Sequence, residues 1–279
     1  MNGIIIVNKE KDMTSRDVVN IVSKKLNTKK VGHGGTLDPI ATGVLVLGVG
    51  KYTKLLDMII SHEKEYIAEV LVGECTDTLD ITGNILSTSD EMVNRNSLEH
   101  VISSYKKKYL QEIPLYSAKK LNGKKLYQYA RENIDIELPK KEVEIIDIKL
   151  LDIYEKDRKQ YFKFYTKVSK GTFIRSLIKD ISNDLAIQMT MSGLVRVSQG
   201  PFKLDDCNNL NDNFRLLQAH EIFDYKVVEL GQELYKKVIN GNKAILPITD
   251  DKIIFSSGGN DVAIYELNNN MYQPLIMLK

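Results

Sequence analysis

Gly32-His33-Gly34-Gly35-Thr36-Leu37-Asp38-Pro39-Ile40-Ala41-Thr42-Gly43 is the stretch on which the reading of this chain turns. One carboxylate, Asp38, stands among four glycines, one histidine and two threonines. Pro39 disfavours helical backbone at the residue before it, so Asp38 is pushed toward an extended conformation. Glycine at this density permits positive φ and close approach of another chain to the backbone. An aspartate on a stiff Leu-Asp-Pro turn is held at an edge, facing something that comes close. Two glycine-rich alternatives fail on spacing. Gly50-Lys51 is followed by Tyr52, and Leu45 stands where a P-loop needs its first glycine; Gly48-Val49-Gly50 places Thr53 at the third glycine of a dinucleotide fingerprint. Asp before Pro also caps turns and helices, so from these residues alone a catalytic and a capping role both stay open.

Outward from that stretch, composition sets the class. The 279 residues suffice for one large domain and a small one, and 43% hydrophobic with 27% charged residues is ordinary for a globular protein. Cys75 and Cys207 are isolated and fit no metal spacing, which favours two reduced thiols. The apolar runs are shorter than a membrane span and the N-terminus lacks a signal h-region, so the expectation is a cytoplasmic protein without membrane association. The formal charge of +2 hides an uneven distribution. Residues 204–279 hold 7 basic and 11 acidic side chains, whereas residues 101–131 hold eight basic ones and a single acid, Glu112. Tyr105, Tyr109, Tyr116, Tyr127 and Tyr129 interleave with those charges. Such a segment suits single-stranded or looped nucleic acid, where bases stack and phosphates need neutralising; a solvated lysine-rich face is the plainer alternative.

Taken in order, Ile4-Ile5-Ile6-Val7 reads as a buried strand, and Ser15 as the cap of a helix whose Val18, Val19, Val22 and Leu26 share a face, ending near Asn27. A strand over 44–49 follows the glycine-rich stretch, then a short helix with Leu55, Leu56, Ile59 and Ile60. Residues 66–72 form a strand inside a sheet, and 76–84 a loop. Helical pattern covers 97–109 and 124–131, with Pro114 and Gly123 breaking regularity between them. Alternation over 143–153 and 161–168 predicts antiparallel strands around a turn at 155–158. Gly171 opens a helix with Phe173, Ile174, Leu177, Ile178, Ile181 and Leu185 inward, and 193–197 is another strand. Composition changes between about 205 and 226, and short strands at 253–255, 262–265 and 275–277 suggest a small β-rich module.

The glycine-rich stretch resembles the signature of the tRNA pseudouridine synthase B (TruB) family, Gly-His-Thr-Gly-Thr-Leu-Asp-Pro-Leu-Ala-Thr-Gly, with Gly34 in place of the usual threonine. Three further stretches agree in the family's order: Lys64-Glu65-Tyr66; Pro114-Leu115-Tyr116-Ser117-Ala118-Lys119 running into Gly123-Lys124-Lys125-Leu126-Tyr127; and Ser169-Lys170-Gly171-Thr172-Phe173-Ile174-Arg175. The likeness is good over about residues 1–203 and weak beyond. It implies an α+β fold, a mixed and largely antiparallel sheet flanked by helices. It also implies a catalytic domain over 1–210 with a thumb-like RNA-binding insertion near 105–130, and a PUA-like module over 226–279.

The implied activity is isomerisation of uridine to pseudouridine at position 55 of the tRNA T-loop. The C1′–N1 bond breaks, the base rotates, and C5 joins C1′. No atom is gained overall, which agrees with the absence of any cofactor motif, and neither a cofactor nor a protein partner is expected. A carboxylate with an ordinary pKa of about 3.9 is ionised at pH 7 and needs no adjacent base, unlike a Ser or Cys nucleophile. By resemblance Asp38 is that carboxylate and Arg175 its charge partner. Tyr66 stacks on the extruded uracil, since a base inside a folded loop must leave it to react. His33 holds the vacated position and Leu194 lines the pocket. Tyr116 helps close it, and Lys119, Lys124, Lys125 and Arg131 are candidates for phosphate contacts. The plainer readings are a surface arginine, a core tyrosine, a structural histidine and a core leucine. Two alternative functions remain at this stage: an RNA-binding module without catalysis, and a pseudouridine synthase acting on another RNA. A zinc deaminase is excluded, because His-x-Glu and Cys-x-x-Cys are missing.

Overall fold

A computed structural model describes residues 1–279. Its contacts divide into two compact units, one of Ile40–Gly43 and His62–Gly200, the other of Met1–Pro39, Val44–Ser61 and Pro201–Lys279. In the first, the strand Lys64–Val72 lies between Lys159–Val168 and Met189–Gln199, antiparallel to both, which explains its largely apolar faces. Lys140–Lys156 pairs with Lys159–Val168 around a tight turn whose Asp157 and Arg158 both have positive φ. Lys108–Glu112 adds an outer strand along Lys140–Glu144. Ala41, Thr42 and Gly43 run parallel to Leu194, Val195 and Arg196, so the sheet is mixed but largely antiparallel, as expected. Gly43 is required there: its φ is +101°, and a Cβ would lie 2.3 Å from the Arg196 carbonyl oxygen. Helices Arg95–Ser104 and Ile174–Leu185 bury their apolar stripes, Leu98 and Ile102 in one, Ile174, Leu177, Ile178 and Ile181 in the other.

Several local expectations are corrected. The helix expected to reach Tyr109 ends at Ser104; Tyr105 caps it, three consecutive lysines come next, and Tyr109 pairs with Val143 as a strand residue. The helix expected from Lys124 starts at Leu126, because Lys124–Lys125 pairs with Lys120–Leu121 across an Asn122-Gly123 turn. Val31–His33 and the hairpin of Glu74–Thr76 with Ile85–Thr88 are strands too short to register as patterns.

In the second unit the first strand, Gly3–Lys9, is stitched to residues far along the chain. Ile4 and Leu217 exchange backbone hydrogen bonds of 2.9 and 2.8 Å, and Asn208 donates to the Ile6 carbonyl at 2.9 Å. Ile4, Ile6, Val44, Val46, Ile59, Phe202, Phe223, Ile254, Ile264 and Leu278 form one apolar core. The C-terminal strands, expected to form a module beyond a boundary at 205–226, therefore share a core with the N-terminal strand. They form a four-stranded sheet of Lys226–Glu229, Lys252–Ser257, Asn260–Asn268 and Met271–Met277, with the first pair parallel and the others antiparallel. The helix Gln232–Ile239 and a second core around Val238, Phe255, Tyr265 and Tyr272 complete it. No helix is long and apolar enough to cross a membrane.

Candidate active site and nucleic-acid surface

Asp38 follows the strand Val31–His33, where His33 registers against Leu47 and Gly34 donates to the Val46 carbonyl at 2.7 Å. From there the backbone is locked on both sides of the carboxylate. Leu37 N–H donates to Ser15 Oγ at 2.9 Å, and the Ser15 hydroxyl donates to the Leu37 carbonyl at 3.3 Å. Pro39 C=O accepts from Asp12 N–H at 2.9 Å and from Lys9 Nζ at 3.2 Å. Lys9 is fully buried, and its ammonium also donates to the carbonyls of Met13 (2.6 Å) and Glu10 (2.9 Å). The sequence points to Ser15 as the helix cap, but Thr14 does that work. Thr14 Oγ1 accepts from Asp17 N–H at 3.1 Å and the Asp17 carboxylate accepts from Thr14 N–H at 2.9 Å, a capping box that leaves Ser15 for Leu37. The peptide groups flanking Asp38 are thus fixed while its side chain stays half-buried.

Arg175 is not a surface charge: it is 6% exposed, in the first turn of the Ile174–Leu185 helix. Its Nη1 donates to the Thr78 carbonyl at 2.8 Å and its Nη2 to the Tyr116 carbonyl at 3.0 Å. Asp80, also buried, lies 3.5 Å from Nη1. The Asp80 carboxylate is itself oriented by Thr82 N–H (3.0 Å), the Thr82 hydroxyl (2.5 Å) and the Thr78 hydroxyl (3.0 Å). In the sequence 76–84 reads only as a loop, with nothing that singles out Asp80. The signal it does carry is the run Thr76-Asp77-Thr78-Leu79-Asp80-Ile81-Thr82, whose short polar side chains bond nearby backbone and each other.

Tyr66 is buried and pairs with Thr166 on one side and Arg196 on the other. Leu194 opposes Ala68, so it shares a sheet face with Tyr66, two residues along. Burial, and then the charges of Arg196, Lys170 and Lys141, push the Lys64 ammonium down to about 8. Burial and the neighbouring Asp77 push the Tyr116 hydroxyl up. No group of three or more His, Cys, Asp or Glu side chains is arranged to hold a metal ion.

The lysine-tyrosine segment folds into contacts between its own charges and rings. Lys124 Nζ sits 4.7 Å from the Tyr129 centroid and pairs with Glu132; Lys125 and Arg131 lie 5.5 and 5.3 Å from the Tyr127 ring. Lys120 and Lys125 stand directly opposite each other in the hairpin, a like-charge pair that an anion relieves. Lys119 is exposed, and it and Lys170 help hold the Lys141 ammonium down, after burial.

The family model described as TruB family pseudouridylate synthase (N terminal domain) matches residues 23–174. The chain belongs to this family. It is 36% identical to the tRNA pseudouridine synthase B of Lactobacillus acidophilus over 293 residues, covering all of this chain and 98% of that one. It is 42% identical to that of Fusobacterium nucleatum subsp. nucleatum over 274 residues, covering 98% and 91%. Among solved structures it resembles an H/ACA RNP bound to a substrate RNA containing 2′-deoxyuridine (TM-score 0.68, 20% identity) and a Cbf5-Nop10-Gar1 complex (TM-score 0.69, 21%). Each likeness covers 99% of this chain, with 85% and 84% of those chains. At that identity they bear on the fold alone, and they agree with the mixed, largely antiparallel sheet. The four TruB-family stretches thus fall on a locked loop, a central strand, a basic hairpin and a helix start. The backbone brings Arg175 and Tyr116 together, and Tyr66 with Leu194; Lys124, Lys125 and Arg131 gather on two tyrosine rings.

Proposed function

We propose that this TruB-family enzyme acts on uridine 55 of the tRNA T-loop, with Asp38 as the carboxylate that works on the extruded nucleotide. As a pseudouridine synthase of tRNA it breaks the C1′–N1 bond and joins C5 to C1′, so a proton leaves C5 and one is gained at N1. The observation that carries the Asp38 assignment is the double backbone lock at Leu37 and Pro39. Holding a reacting group in place before the substrate arrives lowers the entropic part of the barrier. In this reading Tyr66 stacks on the flipped uracil and helps take the C5 proton. Leu194 lines the base pocket, His33 fills the vacated position in the RNA loop, and Arg175 orients Asp38. We assign the C-terminal strands to a PUA-like appendage and the working compartment to the cytoplasm, where tRNA is modified. Purified protein incubated with an unmodified tRNA transcript is expected to convert uridine 55 and no other position. Conversion elsewhere in the transcript, or only in a ribosomal RNA, overturns the target.

Lys119, Lys124, Lys125 and Arg131 then grip the T-arm backbone. Each phosphate contact contributes about −0.7 to −0.9 to the slope of log K against log salt. Changing Lys119, Lys120, Lys124 and Lys125 together to Gln is expected to flatten that slope by about 2–3. Deleting the C-terminal strands is not a clean comparison, because Ile254, Ile264 and Leu278 complete the core under the first strand. Lys236, Lys237 and Lys243, all exposed, serve instead. Their change to Gln is expected to flatten the slope less; the opposite order in filter-binding titrations puts the main grip on the C-terminal sheet.

A further inference from the structure

Arg175 owes its place to the start of its helix, and that start is capped in an unusual way. Phe173, the N-cap residue, faces no side-chain cap of the ordinary kind. Its peptide group is instead paired by the side-chain amide of Gln111, which is 1% exposed. Phe173 N–H donates to Gln111 Oε1 at 2.8 Å, and Gln111 Nε2 donates to the Phe173 carbonyl at 3.1 Å. That carbonyl also accepts the helical N–H of Leu177 at 3.1 Å. A donor facing Oε1 and an acceptor facing Nε2 leave one orientation for the amide. The second amide hydrogen goes to Tyr109 Oη at 2.7 Å, and the Tyr109 hydroxyl donates to Asp180 Oδ2 at 3.0 Å. Asp180 sits further along the same helix, so the relay leaves the helix start, crosses the strand Lys108–Glu112, and returns one to two turns on. The next strand residue repeats the tie: Ser176 Oγ donates to the Glu112 carbonyl at 2.8 Å and Lys179 Nζ to its carboxylate at 2.7 Å. Four residues after Glu112 comes Tyr116, whose carbonyl receives Arg175 Nη2.

We propose that Gln111 is a positioning residue for the isomerisation: by pairing the Phe173 peptide it sets the helix start and holds the Arg175 guanidinium in register with the Tyr116 carbonyl. The inference rests on the reading of Arg175 as the orienting charge of the reaction. It also ties the arginine to the strand that feeds the RNA-binding hairpin, so displacement of that strand is felt at the guanidinium.

The test uses the full chain and a tRNA transcript, with enzyme in excess so that the rate constant is separated from binding. Gln111→Met keeps length and burial and removes the amide; it is expected to slow the single-turnover rate constant at least ~10-fold, in keeping with the cost of small misplacements. Filter-binding Kd is expected to stay within about three-fold, because no phosphate contact changes. Gln111→Glu is expected to be equally slow at pH 7 and to recover as pH falls toward about 5, because burial raises the introduced acid and its protonated form again donates. In an Arg175→Ala background Gln111→Met is expected to change the rate less than about two-fold, the signature of one shared pathway. Equal losses in both backgrounds, or the parent rate in Gln111→Met, overturn the proposal. Tyr109→Phe, which removes only the relay hydroxyl, carries the test if Gln111→Met does not fold, with a loss of about three-fold expected; the parent rate there overturns it equally. A separate readout distinguishes failure of the Arg175 reading. The Arg175 Nε–Hε NMR signal is expected to shift in Gln111→Met, and an unshifted signal overturns the positioning. Parent-like turnover of Arg175→Ala instead overturns the catalytic reading.

Discussion

Asp38→Asn is expected to lower turnover at least about a thousand-fold while leaving tRNA affinity within a few-fold, as expected when the group that works on the substrate is removed but the binding surface is not. The amide has the shape of the carboxylate and keeps an acceptor oxygen, so the loop it sits on has no reason to move. Leu37 and Pro39 are held through their own backbone by Ser15, Asp12 and Lys9. What is lost is negative charge and the ability to form a bond to carbon. Tritium release from C5-labelled uridine in a tRNA transcript measures it. Slow reversion by deamidation is the usual objection to such a variant. Here the route to a succinimide needs the next backbone N–H, and Pro39 has none. Turnover above the thousand-fold floor by a homogeneous preparation therefore removes Asp38 from the reaction.

The legible parts of this molecule are those in which chemistry and neighbours lie close along the chain. Asp38 announces itself because Leu37, Pro39 and the glycines stand beside it. The Lys140–Lys156 and Lys159–Val168 strands are legible because alternation and the turn between them are local. Nothing local marks Lys9 or Ser15 as supports of the Asp38 loop; their contacts cross 30 and 22 residues. Arg175 sits on a helix whose sequence reads equally well as half-exposed, and only the carbonyls of Thr78 and Tyr116, 97 and 59 residues away, make burial affordable. Tyr109 carries a helix-compatible pattern and becomes a strand residue through pairing with Val143, a tertiary override of propensity. Apolar pattern alone does not say which core a strand joins, and the N-terminal strand shares one with Ile254, Ile264 and Leu278, some 250 residues on.

Arg175→Ala is expected to slow turnover at least about a hundred-fold and to destabilise the protein by roughly 3–5 kcal/mol, the usual cost of leaving one member of a buried charge pair behind. Asp80 is that member: its side chain is 5% exposed and lies 3.5 Å from Nη1 of Arg175. The Thr78 and Tyr116 carbonyls lose their guanidinium donors in the same step. Three variants separate the parts. Asp80→Asn keeps an acceptor for Thr82 and Thr78 but lowers the charge that opposes Arg175. In the Asp80→Asn, Arg175→Ala double variant no buried carboxylate is stranded, so its urea midpoint is expected above that of Arg175→Ala alone, the non-additivity of a coupled pair. Arg175→Lys restores a cation but cannot fork to two carbonyls and a carboxylate at once. It is expected to regain most of the stability and little of the rate. Full turnover by Arg175→Lys shows that charge alone suffices and that the fork does not orient the reaction; a parent-like urea midpoint for Arg175→Ala shows that Asp80 does not depend on it.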